Sequence, residues 1–386
     1  MYNRKIVFLS AIFGIIIFGI SLSFLGSVLP LFARQFSLSG QESGQLILYI
    51  NLGIFIGSLL FGPIIDRFGY KHIIISSSSA IFIGLLIISI FYNLYTIKFM
   101  LFVIGLGAGA INGISNALAS EVGHKNRTYY LSILGTFFCV GAFGFPLIFG
   151  TLLNISSPRF LIFLISCYIL LSTIIFSLIK YPSSEHDESR ITIHDLSLLK
   201  SRTIILFSAL AFFESGIEMS AGNWTTSFFS DAYDMEVSIA SFSLSTYWLG
   251  MMAGRFYLSR LSLKYSPTTL FFYFMPISTI ASVILIFTKT PIASFFLIFL
   301  TGYGFSCTYP IIIAIIGDIY KKIAGTALSL VFSIAILGGI LLPYTIGIIY
   351  DLKGMKLAFS IIPIGTIVVI VIFYIIKNNL KKISYI

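Results

Sequence analysis

The stretch GPIIDRFGYK, residues 62–71, is a short charged segment between two long apolar runs. It holds one carboxylate, Asp66, and two cations, Arg67 and Lys71, where the sequence on either side is suited to lipid. Gly62 and Gly69 have no side chain, so the backbone can reverse tightly and neighbouring helices can approach closely. Charged groups in such a segment pair with each other or with helix ends at a membrane surface. The stretch therefore predicts a loop that joins two membrane helices.

The composition is that of a membrane protein. Of the 386 residues, 58% are hydrophobic and 10% are charged, whereas about a quarter of the residues in a soluble domain are charged. The apolar runs have the length of helices that cross a bilayer, about twenty residues. Barrel strands would alternate polar and apolar residues, and that alternation is missing. We expect an all-α polytopic membrane protein.

Hydropathy predicts twelve transmembrane helices. The predicted spans are residues 6–29, 43–64, 73–94, 97–120, 129–151, 159–179, 203–229, 237–258, 266–288, 292–316, 323–350 and 357–376. The longest polar segment lies between the sixth and seventh spans. We therefore expect an N-terminal six-helix bundle at residues 1–179, a cytoplasmic linker at 180–202 and a C-terminal six-helix bundle at 203–386.

The positive charges predict the orientation. With the N-terminus inside the cell, 18 of the 24 Lys and Arg residues fall in cytoplasmic segments. Because cytoplasmic loops carry the excess of Lys and Arg, we expect a multi-pass protein of the cell membrane with both termini in the cytoplasm. The net charge of +10 then reflects membrane topology, and we expect no nucleic-acid partner.

An internal repeat predicts two related halves. The fifth and eleventh spans share the spacing Gly-x4-Pro-x3-Gly, and such residues bend a helix and admit a close neighbour. They are Gly141, Pro146 and Gly150 in the fifth span and Gly338, Pro343 and Gly347 in the eleventh. The end of the eighth span partly repeats the opening stretch, with glycine and arginine but no aspartate. The residues concerned are Gly250, Gly254, Arg255 and Arg260. We expect two pseudo-symmetric six-helix bundles.

The opening stretch, written Gly-x3-Asp-Arg-x-Gly-x-Lys, resembles the loop signature of the major facilitator superfamily. That signature follows the second transmembrane helix of the family, and here it follows the second apolar run; Tyr70 stands where the family usually has Arg. The resemblance implies the major facilitator fold, with two bundles facing a central cavity, and alternating access. The residues of the implied gating loop are Gly62, Asp66, Arg67, Gly69 and Lys71.

Two acidic residues lie deep in the seventh predicted span. Glu214 and Glu218 are four residues apart, so they share one helical face. Two carboxylates at this spacing disfavour simultaneous ionisation, and ionisable groups inside a membrane are functional by default. We expect this pair to take up and release the protons that drive transport. The alternative is a neutral, hydrogen-bonded pair that locks helices together.

Polar and aromatic residues near the pair are candidates for binding a solute. Asn223 offers donors and acceptors for hydroxyl groups, and Trp224 offers a flat face of the kind on which sugar rings stack. Tyr247 and Trp248 add aromatic surface in the eighth span. The alternative for these aromatic residues is a place in the interfacial belt of the membrane.

The fourth span carries a narrow stripe of small and amide residues. Gly105, Gly109 and Gly113 share one face with Asn112 and Asn116. We expect this face to line a cavity that binds a polar solute; the alternative is a packing face whose amides bond between helices. Further candidates on the same grounds are Gln45, Asn51 and Tyr303.

A closer resemblance concerns the second half of the chain. Glu218 and Trp224, spaced Glu-x5-Trp, resemble the corresponding segment of the fucose permease-like sugar–proton symporters. Gly302-Tyr-Gly304, Tyr309-Pro310, Gly325-Thr-Ala327, Gly338-Gly339, Pro343, Gly347 and Asp351 also match that family. The resemblance implies proton-coupled monosaccharide uptake. Related symporters often carry an acid where this chain has Asn112, and several carry a histidine where it has Gly135. Coupling would therefore fall to Glu214 and Glu218, or be absent.

Other functions fit less well. A proton-driven exporter of drug-like or amphipathic compounds is the alternative, but many such exporters carry an arginine in the fourth span and this chain has none. A lipid-handling protein would have a more apolar cavity. No residue spacing typical of a catalytic site, metal site or phosphate loop is present, so we expect no enzyme, cofactor or metal. The expected partners are a small-molecule solute, protons and the lipid bilayer, and we expect a monomer.

Overall fold

The computed structural model describes residues 2–123, 127–182, 201–320 and 323–383. Every regular element in these ranges is an α-helix, as predicted. The helices are α1 Arg4–Phe36, α2 Gly40–Ile90, α3 Leu94–Gly123, α4 Arg127–Leu153, α5 Pro158–Leu178, α6 Arg202–Ala232, α7 Val237–Leu261, α8 Pro267–Phe287, α9 Pro291–Phe305, α10 Thr308–Ile319, α11 Ala324–Lys353, α12 Met355–Phe359 and α13 Ile361–Ile383.

Eleven helical segments of the described chain are long and apolar enough to cross a membrane. They correspond to eleven of the twelve predicted spans, and the missing one is the eighth, α7. This helix has 25 residues, which is long enough, but its first half is rich in serine. Ser241, Ser243 and Ser245 are buried, and Ser241 and Ser243 donate to helix carbonyls within α7. The serine hydroxyls thus lower the hydropathy of α7, although those of Ser241 and Ser243 are hydrogen bonded within the helix.

The opening stretch is more helical than predicted. The second and third spans form one element, α2, of 51 residues, and the backbone leaves the helical conformation at Gly69, with φ 74° and ψ 166°. The expected ten-residue loop is therefore wrong. Charged residues such as Arg67 and Lys71 favour helices, so the reversal is concentrated at the one glycine that tolerates a positive φ.

The tenth predicted span is broken in two. The helix α9 ends at Phe305, α10 begins at Thr308, and Ser306 and Cys307 lie between them. Pro310 explains the break, because its ring clashes with the carbonyl four residues earlier, at Ser306, and it has no N–H to donate. A break at this depth matters because it frees backbone and hydroxyl groups inside an otherwise apolar region.

The first of two compact units contains α1 to α5 together with Met235–Ser245 at the start of α7. Two glycine-mediated contacts hold it together. Gly19 of α1 lies against the backbone of Gly141 in α4, and Gly53 of α2 lies against Gly105 in α3. Because glycine has no side chain, the helices come into backbone contact at these positions. This packing is typical of membrane helices.

The second unit contains α6, the rest of α7 and α8 to α13. Gly216 of α6 lies against Gly338 in α11, and the α7 backbone contacts α9 through Gly250 and Gly302. These are the same pairs of spans, first with fifth and second with fourth, that pack through glycine in the first unit. Gly141 and Gly338 of the repeated spacing therefore have the same packing role within their own units.

The two units do not test the predicted division at residues 180–202. Residues 183–200 of the predicted linker lie outside the described residues. The grouping of Met235–Ser245 with the first unit differs from the predicted boundary at residue 203. The domain limits stay a prediction.

We expect Gly69→Ala to lower the free energy of unfolding by about 1–3 kcal/mol, because φ 74° and ψ 166° lie in a region almost restricted to glycine. An added Cβ would have no neighbour within 4 Å, so the loss would come from the backbone. Gly144→Ala is the matched control, since its site in α4 is equally open but helical. It should be neutral or stabilising by up to about 1 kcal/mol. Thermal unfolding of purified protein measures both; equal midpoints would contradict the assignment.

Candidate functional site

The two glutamates of α6 form an acid pair. Glu214 is 2% exposed, and Glu218, one turn further on, is half-buried. Residues four apart lie on one face of a helix, and the two carboxyl groups interact electrostatically.

The broken span places a hydroxyl on this pair. The Thr308 hydroxyl, at the first residue of α10, lies 3.1 Å from Glu214 Oε1 and 3.0 Å from the Phe305 carbonyl oxygen, and donates toward these acceptors. Cys307, also at the break, is fully buried. The sequence analysis did not identify Thr308, although Pro310 two residues later signals a helix break.

Arg255 of α7 completes the group of charges. The preceding residue, Gly254, lies against Tyr303 and Ser306 at the end of α9, which brings this part of α7 up to the helix break. The Arg255 guanidinium lies within electrostatic range of both Glu214 and Glu218. We call Glu214, Glu218, Arg255 and Thr308 the charge cluster. The sequence analysis counted Arg255 among the positive charges of the cytoplasmic segments. The signal that could have identified it is its position at the end of the eighth span, where the sequence partly repeats the opening stretch.

Tyr247, two turns before Arg255, borders the charge cluster. It is 1% exposed, and its hydroxyl has no hydrogen-bond partner among the described residues. Both glutamates act on it electrostatically. A buried hydroxyl is costly without a partner, so this one is available to a water, a proton or a polar solute group.

Three of the expected aromatic binding residues are packed inside the second unit. Trp224 is 1% exposed, and its Nε1 donates to the Pro343 carbonyl oxygen at 2.9 Å. Trp248 is fully buried beside Tyr247 and beneath Gly222. Helix packing covers the ring faces of Trp224, Tyr247 and Trp248 in this structure, and their role in binding a solute stays a prediction.

Asn223 and Tyr303 are also engaged within the second unit. Asn223 is 2% exposed and donates from Nδ2 to the Met219 carbonyl oxygen at 2.8 Å. Tyr303 is half-buried and stacks on Phe274, with ring centroids 5.3 Å apart. The Asn223 hydrogen bond lies within α6, the Tyr303 stack joins α9 to α8, and neither side chain belongs to the charge cluster.

The amide stripe of the first unit divides between packing and exposure. Gly105 and Gly109 lie against the α2 backbone, and Gly113 lies against the Phe61 ring, which is the packing alternative. Asn112 and Asn116 are half-buried, and Asn116 Nδ2 donates to Asn112 Oδ1 at 3.0 Å. The glycines are thus a helix-packing face, while the two amides stay accessible in part.

The remaining predicted residues are dispersed. Gln45 Oε1 accepts from Lys98 Nζ at 2.9 Å, a polar contact between α2 and α3, and Asn51 is 5% exposed within α2. Of the gating stretch, Gly69 forms the break and the exposed Arg67 lies over the Phe68 ring at 5.3 Å. Lys71 is half-buried. The surroundings of Gly62 and of the Asp66 side chain lie outside the described part of the structure.

Membrane-length helices and a buried cluster of acid, hydroxyl and arginine groups define a multi-pass integral membrane protein equipped to handle ions or polar solutes. The profile of the Major Facilitator Superfamily matches residues 11–294 and 206–383. The chain belongs to this superfamily, and it is a secondary transporter of small solutes rather than an enzyme.

Curated relatives extend over most of the chain at low identity. The Glucose/mannose transporter GlcP of Bacillus subtilis is 21% identical over 333 residues, which cover 83% of this chain and 82% of the relative. The Cis,cis-muconate transport protein of Acinetobacter baylyi is 23% identical over 383 residues, with 93% and 91% covered. Similarity therefore extends over both halves of the chain.

Solved structures agree on the fold. The D-xylose-proton symporter has a TM-score of 0.79 at 14% identity, with 95% of this chain and 97% of that chain covered. The Major Facilitator Superfamily transporter FucP, in its outward conformation, has a TM-score of 0.65 at 19% identity, with 96% and 98% covered. The predicted major facilitator fold is confirmed.

We expect Trp224→Phe to lower the free energy of unfolding by about 1–3 kcal/mol, because it removes the hydrogen bond to the Pro343 carbonyl and leaves a void where the larger indole ring was packed. Thermal unfolding of purified protein measures the change. Tyr95→Phe, at an aromatic residue that is 80% exposed, is the control and should leave the midpoint unchanged. If Trp224→Phe keeps its stability but loses solute binding, Trp224 belongs to the binding site.

Proposed function

We propose that the chain is a proton-coupled monosaccharide transporter of the cell membrane. The observation that carries the proposal is the acid pair, Glu214 and Glu218 one turn apart on α6, with the Thr308 hydroxyl 3.1 Å from Glu214 Oε1. Carboxylates inside a membrane mark proton relays in pumps and transporters. The similarity to the glucose/mannose transporter GlcP and to the D-xylose-proton symporter supports the sugar and proton parts.

In this proposal the two glutamates have different roles. Glu218 is half-buried, whereas Glu214 is 2% exposed and bonded to Thr308. Glu218 takes a proton from water and releases it to water, and Glu214, one turn away, responds to the charge on Glu218. The proton changes the charge inside the second unit. That change favours one conformation of the carrier over the other, as alternating access requires.

Polar groups that remain partly exposed are the proposed contacts for a sugar. Asn112 and Asn116 of the first unit are half-buried amides with spare hydrogen-bonding capacity. An amide both donates to and accepts from hydroxyl groups, which suits a neutral polyhydroxy solute.

The charge distribution supports the proposed orientation. Without Arg255 of the charge cluster, 17 of the 24 Lys and Arg residues fall in cytoplasmic segments when the N-terminus is inside. We propose that both termini lie in the cytoplasm.

The test is uptake into proteoliposomes under an imposed pH gradient. The solutes are D-glucose, D-mannose, D-galactose, L-fucose and D-xylose, with cis,cis-muconate as the non-sugar comparison. We expect one sugar to accumulate when the outside is acidic. In Glu218→Gln, accumulation should fall to the level of empty vesicles while exchange of sugar without a gradient continues. Glu236→Gln, at an exposed glutamate, is the control and should accumulate sugar normally.

Three outcomes would contradict the proposal. Uptake of muconate alone would show that the chain is a transporter whose solute is not a sugar. Expulsion of a cationic dye, with no sugar moved, would establish the proton-driven exporter instead. Sugar accumulation that is equal with and without the gradient would remove the proton coupling.

A further inference from the structure

The helix break frees three successive backbone carbonyls at the end of α9. In a continuous helix each carbonyl accepts from the N–H four residues later, but none of these three bonds forms in the described part of the chain. Each carbonyl accepts instead from a side chain three residues later. The pairs are Ser306 with Tyr303 at 2.7 Å, Cys307 with Gly304 at 3.6 Å, and Thr308 with Phe305 at 3.0 Å. The break therefore holds a row of carbonyl oxygens that have only side-chain donors.

The Thr308 hydroxyl makes two contacts with one hydrogen. Its Oγ1 lies 3.0 Å from the Phe305 carbonyl oxygen and 3.1 Å from Glu214 Oε1. A hydroxyl has a single hydrogen, so it satisfies only one of these two acceptors at a time. When Glu214 is ionised, the other pair of oxygens is left in contact without a hydrogen between them. A positive charge placed among the three oxygens would remove this repulsion.

The oxygens at this point are of the types that hard cations take as ligands. Carboxylates and backbone carbonyls bind such ions, and in transporters the unwound backbone carbonyls of discontinuous helices coordinate sodium. Glu214 and Thr308 are each 2% exposed, so an ion between them is shielded from bulk water. A further oxygen is close by, because Ser278 of α8 packs against Gly304. The Ser278 hydroxyl is buried and has no hydrogen-bond partner among the described residues.

The charges around the break favour a monovalent ion. Glu214 and Glu218 carry two negative charges when both are ionised, and Arg255, which acts on both electrostatically, carries one positive charge. The excess is one negative charge, and net charge inside a membrane protein is costly. One sodium ion balances this excess, whereas a divalent ion would reverse it.

We propose that the helix break is a sodium site formed by Glu214 Oε1, Thr308 Oγ1 and the Phe305 carbonyl oxygen. The proposal goes beyond the proposed function, in which the transported ion is the proton that Glu218 takes up. The sodium ion joins α6 to both sides of the break, to α9 through Phe305 and to α10 through Thr308. It therefore links three helices of the second unit at the depth of the acid pair.

The experiment counts sodium ions on the purified full-length protein by equilibrium dialysis with radioactive sodium, in a buffer whose only other salt is KCl. We expect wild type to bind one sodium ion per chain. Glu214→Gln, which removes the negative ligand, should bind none. Thr308→Val should bind about tenfold more weakly, because the site loses an oxygen. Thr301→Val is the matched control and should bind as wild type does, because the equally buried Thr301 hydroxyl donates to the Leu297 carbonyl oxygen within α9.

A conservative variant keeps the proposal falsifiable if Glu214→Gln does not fold. Thr308→Ser retains the hydroxyl and should bind sodium as wild type does, whereas Thr308→Val should not. Wild type that binds no sodium in excess KCl would overturn the proposal. Equal sodium binding by Thr308→Val and Thr308→Ser would also overturn it, because the bound ion would then lie elsewhere.

Transport distinguishes this inference from the proposed function. The dialysis needs neither a solute nor a gradient, so it reports on the break even if no sugar of the panel is moved. If wild type accumulates D-glucose under a pH gradient in sodium-free buffer and binds no sodium, the proposed function stands and the sodium site falls. If sodium binds as expected and no sugar responds to the pH gradient, the sodium site stands and the proton coupling falls.

Discussion

Close backbone contact at glycine is the constraint on which both units depend. In lipid there is no hydrophobic force to press helices together, so they associate where small residues admit dispersion contacts over the backbone. The first unit uses Gly19 with Gly141, and the second uses Gly216 with Gly338. At Gly254 the same kind of contact places α7 against the end of α9, beside the helix break that brings Thr308 to Glu214. Helix packing through glycine therefore also positions polar groups.

The second unit concentrates its chemistry at one break in a helix. Pro310 prevents α9 and α10 from forming a continuous helix, and the new helix start offers the Thr308 hydroxyl to Glu214. Discontinuous helices that bring polar groups to the middle of the membrane are a recurrent feature of transporters. A proton gained or lost by either glutamate changes the net charge of a region that tolerates little charge.

Aromatic residues illustrate the limits of composition as a guide to binding. Trp224 has the flat face and the N–H that a sugar site uses, yet its N–H donates to Pro343 and the ring is covered by helix packing. The glycine stripe of α3 likewise faces α2, while Asn112 and Asn116 beside it stay half-buried. A helical face can be read from spacing, but which neighbour covers that face depends on helices far away in the sequence.

The sequence by itself determined that the protein is all-helical, that it crosses the membrane many times, and that Glu214 and Glu218 share a face. Hydropathy, run length and helical period are properties of contiguous residues, and a bilayer leaves a helix as the one way to satisfy the backbone of such runs. The tertiary structure decided which polar groups meet. Thr308 and Glu214 are 94 residues apart, and Trp224 and Pro343 are 119 apart. Contacts over such distances depend on how whole helices pack, a property that no local stretch contains.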